Sequence, residues 1–187
     1  MSEPRVENPA VVELVRGALA LREASLVIYR RRTLIEFKTE RLGGGLTLYE
    51  EDGHTSWQIG DFDDHHCHLD VGECARAVFG AEPVSCQGGR LNYTVWFLVD
   101  RDAENPYRRD AYFSVTLNRP YQADGSEKRE IVGQMFRLYR AFEGRAGISA
   151  EPAFLEAMAG HGRSEDVREQ ERALGGQERQ ADQGVGA

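Results

Sequence analysis

The chain has 187 residues, enough for one domain with a core of its own and a tight fit for two. A formal charge of −8 and a pI near 5.2 argue against nucleic acid or an anionic membrane as partner. No apolar run approaches the ~18 residues that a membrane-spanning helix needs, and the polar start Met1–Ala10 does not read as a signal peptide.

The three cysteines, Cys67, Cys74 and Cys86, are odd in number and irregularly spaced, with no C-x2-C pair. They imply neither a disulfide framework nor a zinc knuckle, and a cytoplasmic setting is expected. Residues 1–10 read as a flexible lead-in, 11–146 as a single domain, and 147–187 as a short helix followed by a disordered tail.

In chain order, Asn8-Pro9 opens a helix, with Asn8 as N-cap and Pro9 at the first helical position. Val11, Leu14, Val15 and Ala18 recur at helical spacing, and the helix is expected to end near Arg22–Ala24. Ser25–Tyr29 and Thr33–Lys38 read as a hairpin across the basic run Arg30-Arg31-Arg32. Gly43-Gly44-Gly45 is a break that lacks the lysine and hydroxyl residue of a phosphate loop. Leu46–Tyr49 and Ser56–Ile59 form a second hairpin around Asp52-Gly53. Val71–Phe79 fits either a helix or a strand, and Gly80–Pro83 reads as a loop. Leu91–Val99 is the clearest strand: Leu91, Tyr93, Val95, Phe97 and Val99 share one face, and Asn92, Thr94, Trp96 and Leu98 the other.

After the charged segment Asp100–Asp110, Ala111–Leu117 alternates as another strand. Ser126 is placed to cap a helix over Glu127–Phe142, and Glu151–Ala159 predicts a short helix. From His161 onward there is almost nothing to bury. A helix, about seven locally paired strands and a second helix predict an α+β domain with a large antiparallel β-sheet and helices packed on one face.

Chemistry concentrates in Asp61–Leu69, D-F-D-D-H-H-C-H-L, which holds three of the five histidines. If His66–His68 is extended, His66 and His68 point to one side and His65 and Cys67 to the other. His65, His66 and His68, with Asp63 or Asp64, then form a candidate metal site for Zn²⁺ or Fe²⁺. A solvated acid–histidine loop is the competing reading, and Cys67 reads as a small buried hydrophobe. No G-x-S-x-G elbow is present.

Several stretches, in order, carry a family resemblance. They are S-L-V-I-Y-R-R-R-T-L-I-E-F (Ser25–Phe37), H-L-D-V-G-E-C-A-R-A-V-F (His68–Phe79) and L-N-Y-T-V-W-F-L-V-D (Leu91–Asp100). A-Y-F-S-V-T-L-N-R (Ala111–Arg119) and E-I-V-G-Q-M-F-R-L-Y (Glu130–Tyr139) follow. Together, over roughly Val11–Phe142, they resemble the cytoplasmic haem-utilisation (ChuX/HutX-like) family of haem carriers. The resemblance implies a haem-utilisation-like fold, haem as cofactor, a homodimer and a non-catalytic carrier role. Of the family's two haem-associated histidines, one falls on His68 and is retained; the other falls on Tyr29 and is replaced.

Haem asks for an axial donor, a flat apolar slot and cations for two propionates. His68 offers an imidazole, and Tyr29 an oxygen donor once its phenol, of ordinary pKa ~10, is deprotonated. Arg30, Arg31 and Arg32 are adjacent and suit the propionates. Two alternatives stand beside haem carriage: an accessory protein in a biosynthetic pathway that binds a small molecule or peptide on the same scaffold, and a metal-dependent enzyme using the Asp/His cluster.

Overall fold

The computed structural model describes residues 8–30, 33–42, 46–51, 54–60, 66–69, 71–85, 88–99 and 111–162; the side chains of 30, 49–51 and 54–56 are outside that description. Helix α1 spans Pro9–Leu19, and the Asn8 side chain accepts a hydrogen bond from the Ala10 N–H at 3.1 Å, as the Asn-Pro start predicts. It is shorter than expected and stops at Leu19. Strands β1 (Ala24–Arg30) and β2 (Thr33–Lys38) pair as the expected hairpin. The second hairpin is β3 (Leu46–Glu51) with β4 (His54–Gly60), and β5 (His66–Leu69) pairs with β4.

The stretch open to two readings is a strand: after a single 3-10 turn at Val71–Glu73, β6 runs from Cys74 to Val84. A register shift between Cys74 and Arg76 inserts an extra residue into the ladder with β7 (Arg90–Val99). That bulge lets Cys74 and Ala77, three apart, both be buried, which imitates a helical period in the sequence. The loop expected at Gly80–Pro83 is the strand's continuation. Pro83 is tolerated because β9 (Ile148–Ala150) pairs only with Ala77–Phe79, leaving the far half of β6 as an edge.

Strand β8 (Ala111–Leu117) completes a six-stranded sheet in the order β2-β1-β8-β7-β6-β9, antiparallel except for the parallel β6–β9 pair. A separate three-stranded sheet has the order β3-β4-β5. Among the described residues there are thus nine strands, against about seven expected. Helix α2 spans Arg129–Phe142, starting two residues later than predicted. Ser126 does not cap it: its N–H and hydroxyl both donate to Asp124 Oδ1, at 2.8 and 2.6 Å, closing a turn before the helix.

The helices cover one face of the large sheet, as expected of an α+β fold. Val11, Leu14 and Val15 of α1 and Val132 and Met135 of α2 share a core with Leu26, Phe79, Val95, Phe97 and Val115. The small sheet joins that core through Leu46, Trp57, Ile59 and Leu69. Arg16 of α1 ties it down, donating to the Leu46 carbonyl at 2.8 Å with its guanidinium over the Trp57 ring.

The fold continues past residue 146. A third helix, α3, over 152–162, buries Phe154 completely against Phe79, Phe136 and Tyr139. His161, read from the sequence as the start of an unstructured tail, is only 7% exposed. Its Nδ1 lies 3.0 Å from Glu127 Oε1. The Tyr93 hydroxyl donates to the other Glu127 oxygen, also at 3.0 Å. Among the described residues no helix is long and apolar enough to cross a membrane.

Candidate functional site

The sequence-derived residues separate into two places. On β5, alternation works as predicted. Leu69 joins the core and Cys67 packs against it, while His66 and His68 share the opposite side with ring centroids 5.6 Å apart. His68 is exposed and His66 half-buried. Burial pushes the Cys67 thiol up to about 11, so it is a neutral packing group near pH 7 rather than a thiolate ligand. His65 and Asp61–Asp64 lie outside the described residues. Among those described, no three His, Cys, Asp or Glu side chains are placed to hold a metal ion.

Tyr29 is on the other sheet. Along β1, Ala24 and Leu26 enter the core, so Ser25, Val27 and Tyr29 face the side that the helices leave uncovered. The Tyr29 hydroxyl lies 3.0 Å from Ser114 Oγ. Arg30 ends β1 opposite Thr33, its side chain outside the description, and Arg31 and Arg32 lie outside it altogether.

That face carries a cleft of about 370 Å³, within the ~300–1,000 Å³ typical of small-ligand sites. The register sets Thr94 beside Thr116 in its wall, within a longer row of small residues. Ser25 pairs with Thr116, Thr116 with Thr94, and Thr94 with Gly80, so four small residues form one row across four strands. Gly80 has a specific reason to be glycine: a Cβ there would come within 2.0 Å of Trp96 Cζ3. The indole therefore lies against bare backbone. Trp96, Leu98 and Ala111 form a second apolar cluster, with Tyr29 and Val78 packed on it.

Carboxylates stand at both ends of the cleft. Glu36 accepts from Ser25 Oγ at 2.7 Å and from Lys38 Nζ at 2.9 Å. The Ser25 and Lys38 hydrogen bonds hold its carboxyl below the usual carboxylate range. Across the sheet, Glu82 pairs in register with Asn92, and both line the cleft. His68 is not among the residues that wall it.

The sequence reading thus found Tyr29 but missed Glu36, Glu82, Asn92 and Trp96. The available signal was the second face of Leu91–Val99, where Asn92, Thr94 and Trp96 alternate with core residues. Only the register shows that Glu36 and Glu82 lie on the same face.

No protein-family model and no curated protein sequence matches this chain. Solved structures do. A crystal structure of ChuX matches with a TM-score of 0.52 at 9% identity, over 74% of this chain and 75% of that one. The fold is ChuX-like. A second structure, described as the haem-binding protein ChuX, matches at 0.50, again at 9% identity, over 74% of this chain and 76% of the other.

Tested against haem, the ChuX-like chain divides. The described walls of the Tyr29 cleft do not fit it: propionates would meet Glu36 and Glu82, and Lys38 is already engaged by Glu36 and Ser25. His68, exposed on β5, is an imidazole donor of the type iron accepts, on a different sheet from Tyr29.

Proposed function

We propose that this chain is a non-catalytic binding protein that uses its ChuX-like scaffold to carry a ligand in the cytoplasm, as a homodimer. The match over about three-quarters of both chains supports a carrier of this type. Haem is the first ligand to test, because a structural neighbour is described as haem-binding and His68 presents an exposed imidazole. In this reading His68 supplies the axial nitrogen and the arginines Arg30 and Arg32 serve the propionates. Titration with haem should give a Soret band that is lost in His68→Ala. An unchanged spectrum of free haem at a protein excess rejects haem as the ligand.

The second reading keeps the scaffold and removes haem, leaving an accessory protein for a small molecule or peptide. The cleft favours it, since the two carboxylates in its wall oppose a dianionic ligand. The homodimer is tested by light scattering. Ile35, 44% exposed on edge strand β2 and not part of the cleft wall, is a side chain that a second copy would cover.

A further inference from the structure

The cleft on the uncovered sheet face has a charge and donor balance that selects its ligand. Its two ionisable acids, Glu36 and Glu82, stand among the amides of Asn92 and Asn118 and the hydroxyls of Tyr29, Thr94 and Thr116. Asn92 Oδ1 is buried and has no hydrogen-bond partner among the described residues. Glu82, its cross-strand neighbour, is exposed, with no ion-pair or hydrogen-bond partner among them. At the opposite end Glu36 stays ionised under the Ser25 and Lys38 hydrogen bonds. Lys38 spends its charge there, donating to Glu36 and to Ser25 Oγ at 3.1 Å. The Asn118 side-chain amide also lies 2.7 Å from Ser25 Oγ. A ligand entering the cleft therefore meets the Glu82 carboxylate at the Glu82–Asn92 end, with the Asn92 side chain in the wall beside it.

Trp96, Tyr29, Val27 and Leu34 give the wall its aromatic and apolar part, beside the hydroxyls of Thr94 and Thr116. An aromatic wall with an exposed carboxylate complements a donor-rich cation on an apolar stem. An anion would be repelled by Glu82, and a neutral ligand would leave Glu82 without a counter-charge.

We propose that this cleft binds a small organic cation, a primary ammonium on an aromatic or apolar stem, with the ammonium at Glu82 and the stem toward Trp96. The proposal rests on the reading of this face as a ligand site, the second reading above, and adds the chemical class.

The test is calorimetric titration of the full chain with three probes of one shape: phenethylammonium, 2-phenylethanol and 3-phenylpropionate. Phenethylammonium should bind, with the alcohol and the carboxylate weaker by about tenfold or more. Glu82→Gln, an exposed substitution checked by thermal melting for an intact fold, should weaken the ammonium by about tenfold and leave the alcohol unchanged. Equal affinity for the ammonium and the alcohol overturns the chemical class while leaving a ligand site in place. The same conclusion follows if Glu82→Gln has no effect. Failure of all three probes to bind at millimolar concentration overturns the site itself.

Discussion

Gly80→Ala tests the link between the fold and the cleft most directly. The added Cβ would lie 2.0 Å from Trp96 Cζ3, 2.4 Å from Cη2 and 2.8 Å from Glu151 Oε2. The glutamate end can swing away, but the indole is rigid, so its whole ring must rotate or the β6–β7 ladder must open. Overpacking of this kind costs about 1–3 kcal/mol. Replacing glycine within a strand returns about 0.5–1 kcal/mol of backbone entropy. The net loss is about 0–2.5 kcal/mol, a fall in melting temperature of up to about 10 °C for a chain of this size.

Circular dichroism reads both consequences, the melt in the far ultraviolet and the displaced indole in the near ultraviolet. Trp96→Phe supplies the control, because a phenyl ring lacks the two clashing carbons. In that background the cost of Gly80→Ala should shrink by about 0.5–3 kcal/mol. An equal cost in both backgrounds refutes the packing of Trp96 against Gly80.

Three further outcomes follow. His161→Ala removes the group that meets Glu127 at 3.0 Å in a buried position and should cost about 1–3 kcal/mol in urea unfolding; no loss would mean that α3 is not held there. Glu36 has a folded pKa below its unfolded value, so its contribution is present above the ordinary carboxylate range and is lost as pH falls through the folded pKa. Glu36→Gln should therefore reduce stability at pH 7 and converge with the parent at acid pH, and a gap that persists into acid contradicts that sign. The Cys67 thiol, pushed to about 11 by burial, should alkylate slowly at pH 8 in the folded chain and faster in urea, followed by mass spectrometry of its peptide. Equal rates would place Cys67 in solvent.

Much of the fold was legible because it is written locally. The Asn8-Pro9 start, the apolar stripe of α1 and the alternation of β7 and β8 each depend on neighbours within one element. The elements misread are those set by distant contacts. β6 looked partly helical because its bulge at Cys74/Arg76 breaks the period of two, and its Pro83 end looked like a loop because nothing local marks an unpaired edge. β9 has three residues, too few to carry a period, and exists because Ala77 and Phe79 offer a ladder. The candidate site was less legible. Five strands supply the cleft, and residues from Val27 to Asn118 meet there only through register. The histidine cluster was conspicuous in the sequence because its members are adjacent. Adjacency on β5 brings His66 and His68 together but does not bring them to Tyr29.

The parallel strand β9 does more than lengthen the sheet. Its backbone locks β6 from both ends of the contact: Ala77 N–H donates to the Gly147 carbonyl and Glu151 N–H to the Phe79 carbonyl, each at 2.8 Å. A chain cut at residue 146 would leave the Ala77–Phe79 edge bare and uncover the Phe79 ring that Phe154 packs against. An open edge beside an exposed aromatic is a template for joining one molecule to another. The segment after α2 therefore works as a guard against self-association, and its removal should show first as loss of solubility rather than as loss of the core.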